Sequence, residues 1–228
     1  MRIKPLLVIL QYRNIPPVLE SIKDLEIDKL WIKWYGQLTT PDSYSVARKE
    51  FLKREEYTHF LLLTDDVIVQ QIDIDLLVAD AEIRQYDVIS GWFNNDLTTH
   101  EADTNFSFSL PYDPPSDGSY EAYKFEKITY EYMFPRKDPI VQVLHQGTAL
   151  SIISRKIIEE VSFRNSNGCC IDACLSLDLA AKGIKQYVDL RVRCLHLKVN
   201  EVMAWRISEV TQHLPEVVFE AQSKQIAV

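Results

Sequence analysis

Residues 59–69 read HFLLLTDDVIV. The run from His59 to Leu63 is apolar without alternation. A strand with one wet face would alternate, whereas a continuous run suits a strand covered by helices on both faces. The run stops abruptly at Thr64-Asp65-Asp66, so a buried strand delivers two adjacent carboxylates at its carboxyl end. In open α/β sheets ligands bind outside those ends.

The same signature appears upstream, where Leu6–Leu10 reads LLVIL. Pro16 and Pro17 then suit the first turn of a helix through Val18, Leu19 and Ile22. Lys29–Trp34 reads as a second short strand. Pro41 and Asp42 mark a turn, with Asp42 or Ser43 as N-cap of a helix through Val46, Phe51 and Leu52. After the acidic pair, Asp73 caps a helix whose stripe is Ile74, Leu77, Val78 and Ala81, and Asp87–Gly91 is a further strand. Strands alternating with helices predict an α/β fold, a central sheet flanked by helices.

From about residue 92 to 145 the pattern lapses into a stretch rich in Tyr, Phe, Pro, Asp and Ser, read as an irregular insert with short strands. Its aromatics suit a sugar platform or a core under an irregular cover. Thr148–Ile153 returns as a strand and Arg155–Val161 as a helix. Asp172 precedes a helix stopped by Gly183, and Gln186–Leu190 and Arg193–Lys198 close the sheet. Residues 1–200 thus form one domain and 201–228 a helical tail, with Met203, Ile207 and Val210 at helical spacing. That stripe suits either the domain's own core or a second copy in a homodimer.

The chain's 228 residues can bury a core without help from disulfides or metals. Thirty-three acidic against 25 basic residues, a formal charge of -8, is the wrong balance for non-specific nucleic-acid binding. No apolar run has the length of a membrane span. Three of the four cysteines crowd into positions 169–174, an awkward disulfide framework, so a reducing, cytoplasmic setting is the simpler reading. There is no GK[ST] phosphate loop and no GxGxxG after the first strand. Two close carboxylates repel and persist cheaply only with solvent or a cation, and hard divalent ions take carboxylate oxygens while carrying phosphates elsewhere. Read alone, Asp65 and Asp66 fit a solvated turn as well as a metal site.

At this motif the chain resembles the GT-A glycosyltransferases, most closely the small single-domain family-2-like enzymes, over roughly Leu6 to Lys198. The resemblance implies a GT-A fold binding a nucleotide-diphosphate sugar through Mn²⁺ or Mg²⁺ at an acidic DxD motif. Thr64-Asp65-Asp66 matches that motif, with Thr64 in place of its first acidic residue. By the same resemblance Asp66 meets the metal, Asp65 lies near the ribose, and Arg48 in Ser45-Val46-Ala47-Arg48 reaches the nucleotide. Gly147 and Thr148 line the sugar side. Asp172, in CCIDACLSLDLAAKGI, takes the acceptor proton as the general base of an inverting enzyme, and His196, in Cys194-Leu195-His196, supports metal or pyrophosphate. The acceptor would be a hydroxyl of a glycan, lipid or protein. The rivals are a nucleotidyltransferase or sugar-nucleotide hydrolase on the same scaffold, and a carbohydrate-binding or assembly protein without turnover.

Overall fold

The computed structural model of the chain describes residues 2–33, 40–93, 101–106, 126–133, 135–165, 170–197 and 216–222. The first half is β1 (Pro5–Gln11), α1 (Pro16–Lys23), β2 (Lys29–Lys33), α2 (Thr40–Leu52), β3 (His59–Thr64), β4 (Val67–Ile68), α3 (Gln71–Arg84) and β5 (Val88–Trp92). The second half adds β6 (Glu101–Phe106), β7 (Glu126–Thr129), α4 (Tyr130–Met133), β8 (Ile140–Val143), β9 (Leu150–Ser154), α5 (Arg155–Glu160), α6 (Ile171–Ala181), β10 (Gln186–Arg193), β11 (Leu195–His196) and β12 (Glu216–Glu220).

Eight strands form one mixed sheet in the order β12-β2-β1-β3-β9-β5-β10-β8. β2, β1 and β3 run parallel, as do β5 and β10. β9 lies between β3 and β5, antiparallel to both. The expected α/β architecture, a large mixed sheet flanked by helices, is what the chain adopts.

The unbroken apolar runs have their cause in this layering. Successive strand residues point to opposite faces. Leu7 and Ile9 of β1 join a core with Val18 and Ile22 of α1 and Ile74 and Leu77 of α3. Leu6, Val8 and Leu10 face the other way, onto Ala47 and Phe51 of α2, Ile157 and Ile158 of α5, and Leu175 and Leu179 of α6. Residues 6–10 are fully buried, each contributing about 1.5–3 kcal/mol. Between β5 and β10 the chains approach so closely that a Cβ on Gly91 would stand 2.7 Å from Val192 Cγ1 and 2.9 Å from the Val192 carbonyl oxygen. That contact excludes any side chain at position 91.

Several local expectations shift. Asp42 and Ser43 lie inside α2, which starts at Thr40. Asp73 is not the cap of α3 but stands three residues after the N-cap Gln70, whose backbone N–H it accepts at 2.8 Å. Asp172 is likewise the second residue of α6, and Cys170 is the N-cap. Cys170, Cys174 and Cys194 are thiols. The insert contributes a paired ribbon, β6–β7, and the edge strand β8. Trp92, one of the insert aromatics, takes the core alternative: it is 2% exposed and donates its Nε1–H to the Leu190 carbonyl at 3.0 Å. The side chains of Phe106, Phe108, Tyr112, Tyr120, Tyr123 and Tyr130 lie outside the described residues.

The helical tail is corrected for residues 216–220, which form β12 and pair antiparallel with β2 from Glu216↔Lys33 to Glu220↔Lys29. EVVFE has two β-branched residues and an aromatic, the composition of a strand, and it completes the exposed edge of β2. Met203, Ile207 and Val210 lie outside the described residues. Among the described residues no helix is long and apolar enough to cross a membrane.

His59 opens β3, and burial lowers its imidazole to about 4. The unfolded chain therefore binds more protons than the folded one between pH ~6.5 and ~4, so stability is full above that window and falls as the pH drops through it. The cost by the lower end is about 3 kcal/mol. His59→Gln is expected to lose roughly 2 kcal/mol less than the wild type between pH ~7 and ~4.5, read from urea unfolding at each pH. Equal losses in both proteins would refute the assignment.

Candidate active site

β1 and β3 run side by side and end side by side, with Leu10 opposite Thr64. The chain leaves β1 as Tyr12-Arg13 and β3 as Asp65-Asp66, and the two exits lock together through Asp65. Its Oδ2 accepts the backbone N–H groups of Tyr12 at 2.6 Å and Arg13 at 2.5 Å. Its Oδ1 accepts Arg13 Nη2 at 2.6 Å and Nε at 3.2 Å. Four donors fill the roughly four acceptor sites of a carboxylate. Burial raises the Asp65 carboxyl above its ordinary value, against the pull of the Arg13 guanidinium and the two backbone N–H groups. At 1% exposure Asp65 has nothing left for a ribose. Its expected role is corrected from ligand contact to anchor.

Asp66 turns into the cleft. Its Oδ1 accepts the Thr64 hydroxyl at 2.8 Å. Its Oδ2 accepts Arg13 Nη2 at 2.8 Å and His196 Nε2 at 3.2 Å. Burial pushes this carboxyl up, but the His196 hydrogen bond, the Arg13 charge and the Thr64 hydroxyl together hold it well below the usual carboxylate range. Asp66 is thus a firm anion near neutral pH. Thr64, the departure from DxD, spends its hydroxyl on orienting Asp66.

His196 arrives through a separate two-stranded sheet. β4 follows Asp66 directly and pairs with β11, placing His196 opposite Val67. The Leu197 N–H donates to the Asp66 carbonyl at 2.7 Å. The His196 ring packs on Phe93, centroids 4.5 Å apart.

These groups line a cleft of about 330 Å³, together with Tyr44, Thr148 and Asp172. The volume lies within the range of small-ligand pockets. Tyr44 and Thr148 bond hydroxyl to hydroxyl at 3.1 Å, and the Tyr12 hydroxyl bonds Ser43. Burial pushes the Tyr12 phenol up to about 12 and the Tyr44 phenol higher still, so both remain neutral donors. Gly147 is buried beside Thr148. Asp172 is half-buried in the first turn of α6, where its Oδ1 accepts the Ala173 N–H at 2.9 Å. Burial, and then the neighbouring Asp172 charge, push the Cys170 thiol up to about 11.

A larger cavity, about 550 Å³, lies at the opposite end of β3. Its cations are already engaged: Lys156 pairs with Asp87 at 2.8 Å and Arg155 Nε bonds the Tyr57 carbonyl at 2.7 Å. Both cavities are lined by carboxylates, so size favours one and position outside the strands' carboxyl ends favours the smaller.

Sequence reading and structure agree on bringing Asp66, Thr148, Asp172 and His196 to one cleft. They disagree on Arg48. Its Nε and Nη2 donate to the carbonyls of Ile158 and Glu159 at 2.7 and 2.9 Å. Arg48 thus satisfies the open carbonyl end of α5 and ties α2 to it, and it does not line the cleft. The guanidinium in the cleft belongs to Arg13. Phe93 is one of the insert aromatics weighed as a platform, whereas Tyr12 and Arg13 are not among the expected site residues although they follow a buried strand's carboxyl end, the place where ligand groups collect. Tyr44, on α2, carries no comparable signal.

The expected Mn²⁺ or Mg²⁺ fits these residues poorly. Asp65 is saturated, and Asp66 keeps one lone-pair position beside a fixed guanidinium. The Nε2 of His196 is spent on Asp66, and its Nδ1, buried and without a hydrogen-bond partner among the described residues, is one nitrogen ligand at most. Among the described residues no group of three or more His, Cys, Asp or Glu side chains converges to hold a metal ion.

No family model matches the chain. No curated protein matches it in sequence. Among solved structures, A197 from STIV is similar with a TM-score of 0.59 and 14% identity over 87% of each chain. At that identity the likeness bears on fold alone, a mixed α/β fold.

Replacing Asp65 with Ala leaves two backbone N–H groups and Arg13 Nε without their acceptor, though Arg13 keeps Asp66, and is expected to cost about 3 kcal/mol. Asp172→Asn removes a helix-terminal charge and should cost about 1 kcal/mol or less. Urea unfolding of both variants checks the contrast. Equal losses would show that Asp65 is no anchor.

Proposed function

We propose that this cleft is the donor site of a GT-A-like glycosyltransferase, which moves a sugar from a nucleotide-diphosphate sugar to a hydroxyl acceptor. The observation that carries the reading is the meeting of Asp66, His196 and Asp172 in one strand-end cleft. Asp66 lies in the turn after β3, His196 on β11 and Asp172 on α6, and only the fold brings them together. The strand order, with antiparallel β9 between β3 and β5, supports the same reading.

Each residue then has a role set by its surroundings. Asp66, fixed by Thr64 and His196, orients groups at the diphosphate end. Tyr12 and Tyr44, whose hydroxyls bond Ser43 and Thr148, form the wall beside the bound sugar nucleotide, and buried Thr148 with Gly147 leaves room there. Asp172 accepts the proton of the attacking hydroxyl as the new glycosidic bond forms and the bond to the nucleotide diphosphate breaks. Attack from the face opposite the leaving group inverts the anomeric centre.

Asp172→Asn is expected to slow transfer by about 10²–10⁴-fold, the range for a lost general base. Donor affinity, measured by calorimetry, should stay nearly unchanged. Parallel loss of donor binding and turnover would remove Asp172 from the base role. Product analysis on the wild type separates a glycosylated acceptor from a new nucleotide sugar or free sugar.

A further inference from the structure

The family resemblance puts a divalent cation on Asp66, and in this chain a guanidinium already stands there. Arg13 Nη2 lies 2.6 Å from Asp65 Oδ1 and 2.8 Å from Asp66 Oδ2, so one nitrogen bridges both carboxylates. Nε is spent on Asp65 at 3.2 Å. Nη1 has no hydrogen bond or ion pair among the described residues, and the side chain, 25% exposed, lines the cleft.

We propose that Arg13 does the electrostatic work expected of a divalent cation, holding the acidic pair together and offering Nη1 to the donor's diphosphate, so that binding needs no added metal. This rests on the donor-site reading above. Arg13 is held at three points: its backbone N–H by Asp65, and within the guanidinium its Nε by Asp65 and its Nη2 by both carboxylates. It is therefore oriented before any ligand arrives. A planar fork of donors matches phosphate oxygens and stays charged at any working pH. A divalent ion on the remaining lone pair of Asp66 would meet this fixed like charge at close range. His196 adds no ligand on the Asp66 side, because its Nε2 faces the same carboxylate, and its Nδ1 is buried without a hydrogen-bond partner among the described residues.

The test has two arms on the full chain. In the first, Mn²⁺ is titrated into wild type and Asp66→Ala and followed by electron paramagnetic resonance. Wild type is expected to leave the free-ion signal undiminished. Stoichiometric uptake that disappears in Asp66→Ala would overturn the proposal. In the second, UDP-, GDP- and dTDP-sugars are titrated calorimetrically in EDTA and in Mn²⁺. The donor that binds is expected to do so within about twofold in both buffers, and Arg13→Gln to lose at least about tenfold, the size of a charge-assisted hydrogen bond. Should Arg13→Gln fail to fold by circular dichroism, Arg13→Lys takes its place, with a smaller loss expected because its point charge lacks the fork. A tenfold or greater loss of wild-type affinity in EDTA, or full affinity in the Arg13 variants, would overturn the proposal. If no donor binds in either buffer, the donor-site reading fails. The Mn²⁺ arm then decides by itself whether Arg13 holds Asp66 against a metal.

Discussion

The carboxylate of Asp65 is the constraint on which the cleft depends. Taking it out of water is costly, and the cost is offset only because four N–H donors converge on its two oxygens. Two of those donors are backbone groups of residues 12 and 13, so the carboxylate fixes the path of the main chain as well as a side chain. The turn after β1 and the turn after β3 become a single rigid unit. Asp66 and Arg13 inherit their positions from it, because each is one covalent step from an atom that cannot move.

Strand direction explains why the other groups gather at the same place. β1, β3, β5 and β10 share one direction, so residues 12–13, 65–66, 93 and the segment leading to His196 all emerge at one edge of the sheet. β9 runs the other way, so that edge is where it begins. Thr148 precedes β9 and meets the end of β3, and the Thr64 N–H donates to the Ala149 carbonyl at 3.1 Å. A wholly parallel sheet would have put Thr148 at the far end. The short β4–β11 pairing then closes the site by holding His196 against Asp66.

Charge in the cleft is distributed rather than neutralised. Asp65 is spent on structure, and Asp66 is held ionised by Arg13, His196 and Thr64. Asp172 stands apart in the first turn of α6. In the proposed reaction this separation lets one carboxylate orient the ligand while the other accepts a proton. Arg48 shows the opposite economy: a cation on the helix that forms one wall is consumed by the carbonyls of α5, and the cleft takes its guanidinium from the end of β1.

The sequence by itself determined the elements whose causes are local. LLVIL and HFLLL are apolar on both faces, which fits only strands covered on both sides, and their ends in polar residues locate the edge where the cleft lies. Asp65 and Asp66 stand out for the same reason. What each carboxylate does was decided elsewhere, because its partners are remote in the chain. Arg13 lies 52 positions from Asp65, and His196 lies 130 positions from Asp66. Strand order and register alone put those pairs within bonding distance, and they made one aspartate an anchor and its neighbour a cleft residue. β12 is legible only as a partner of β2, since a five-residue run needs a waiting edge to become a strand. Periodicity records which face of an element is buried, and it carries no record of which distant donor fills a given lone pair.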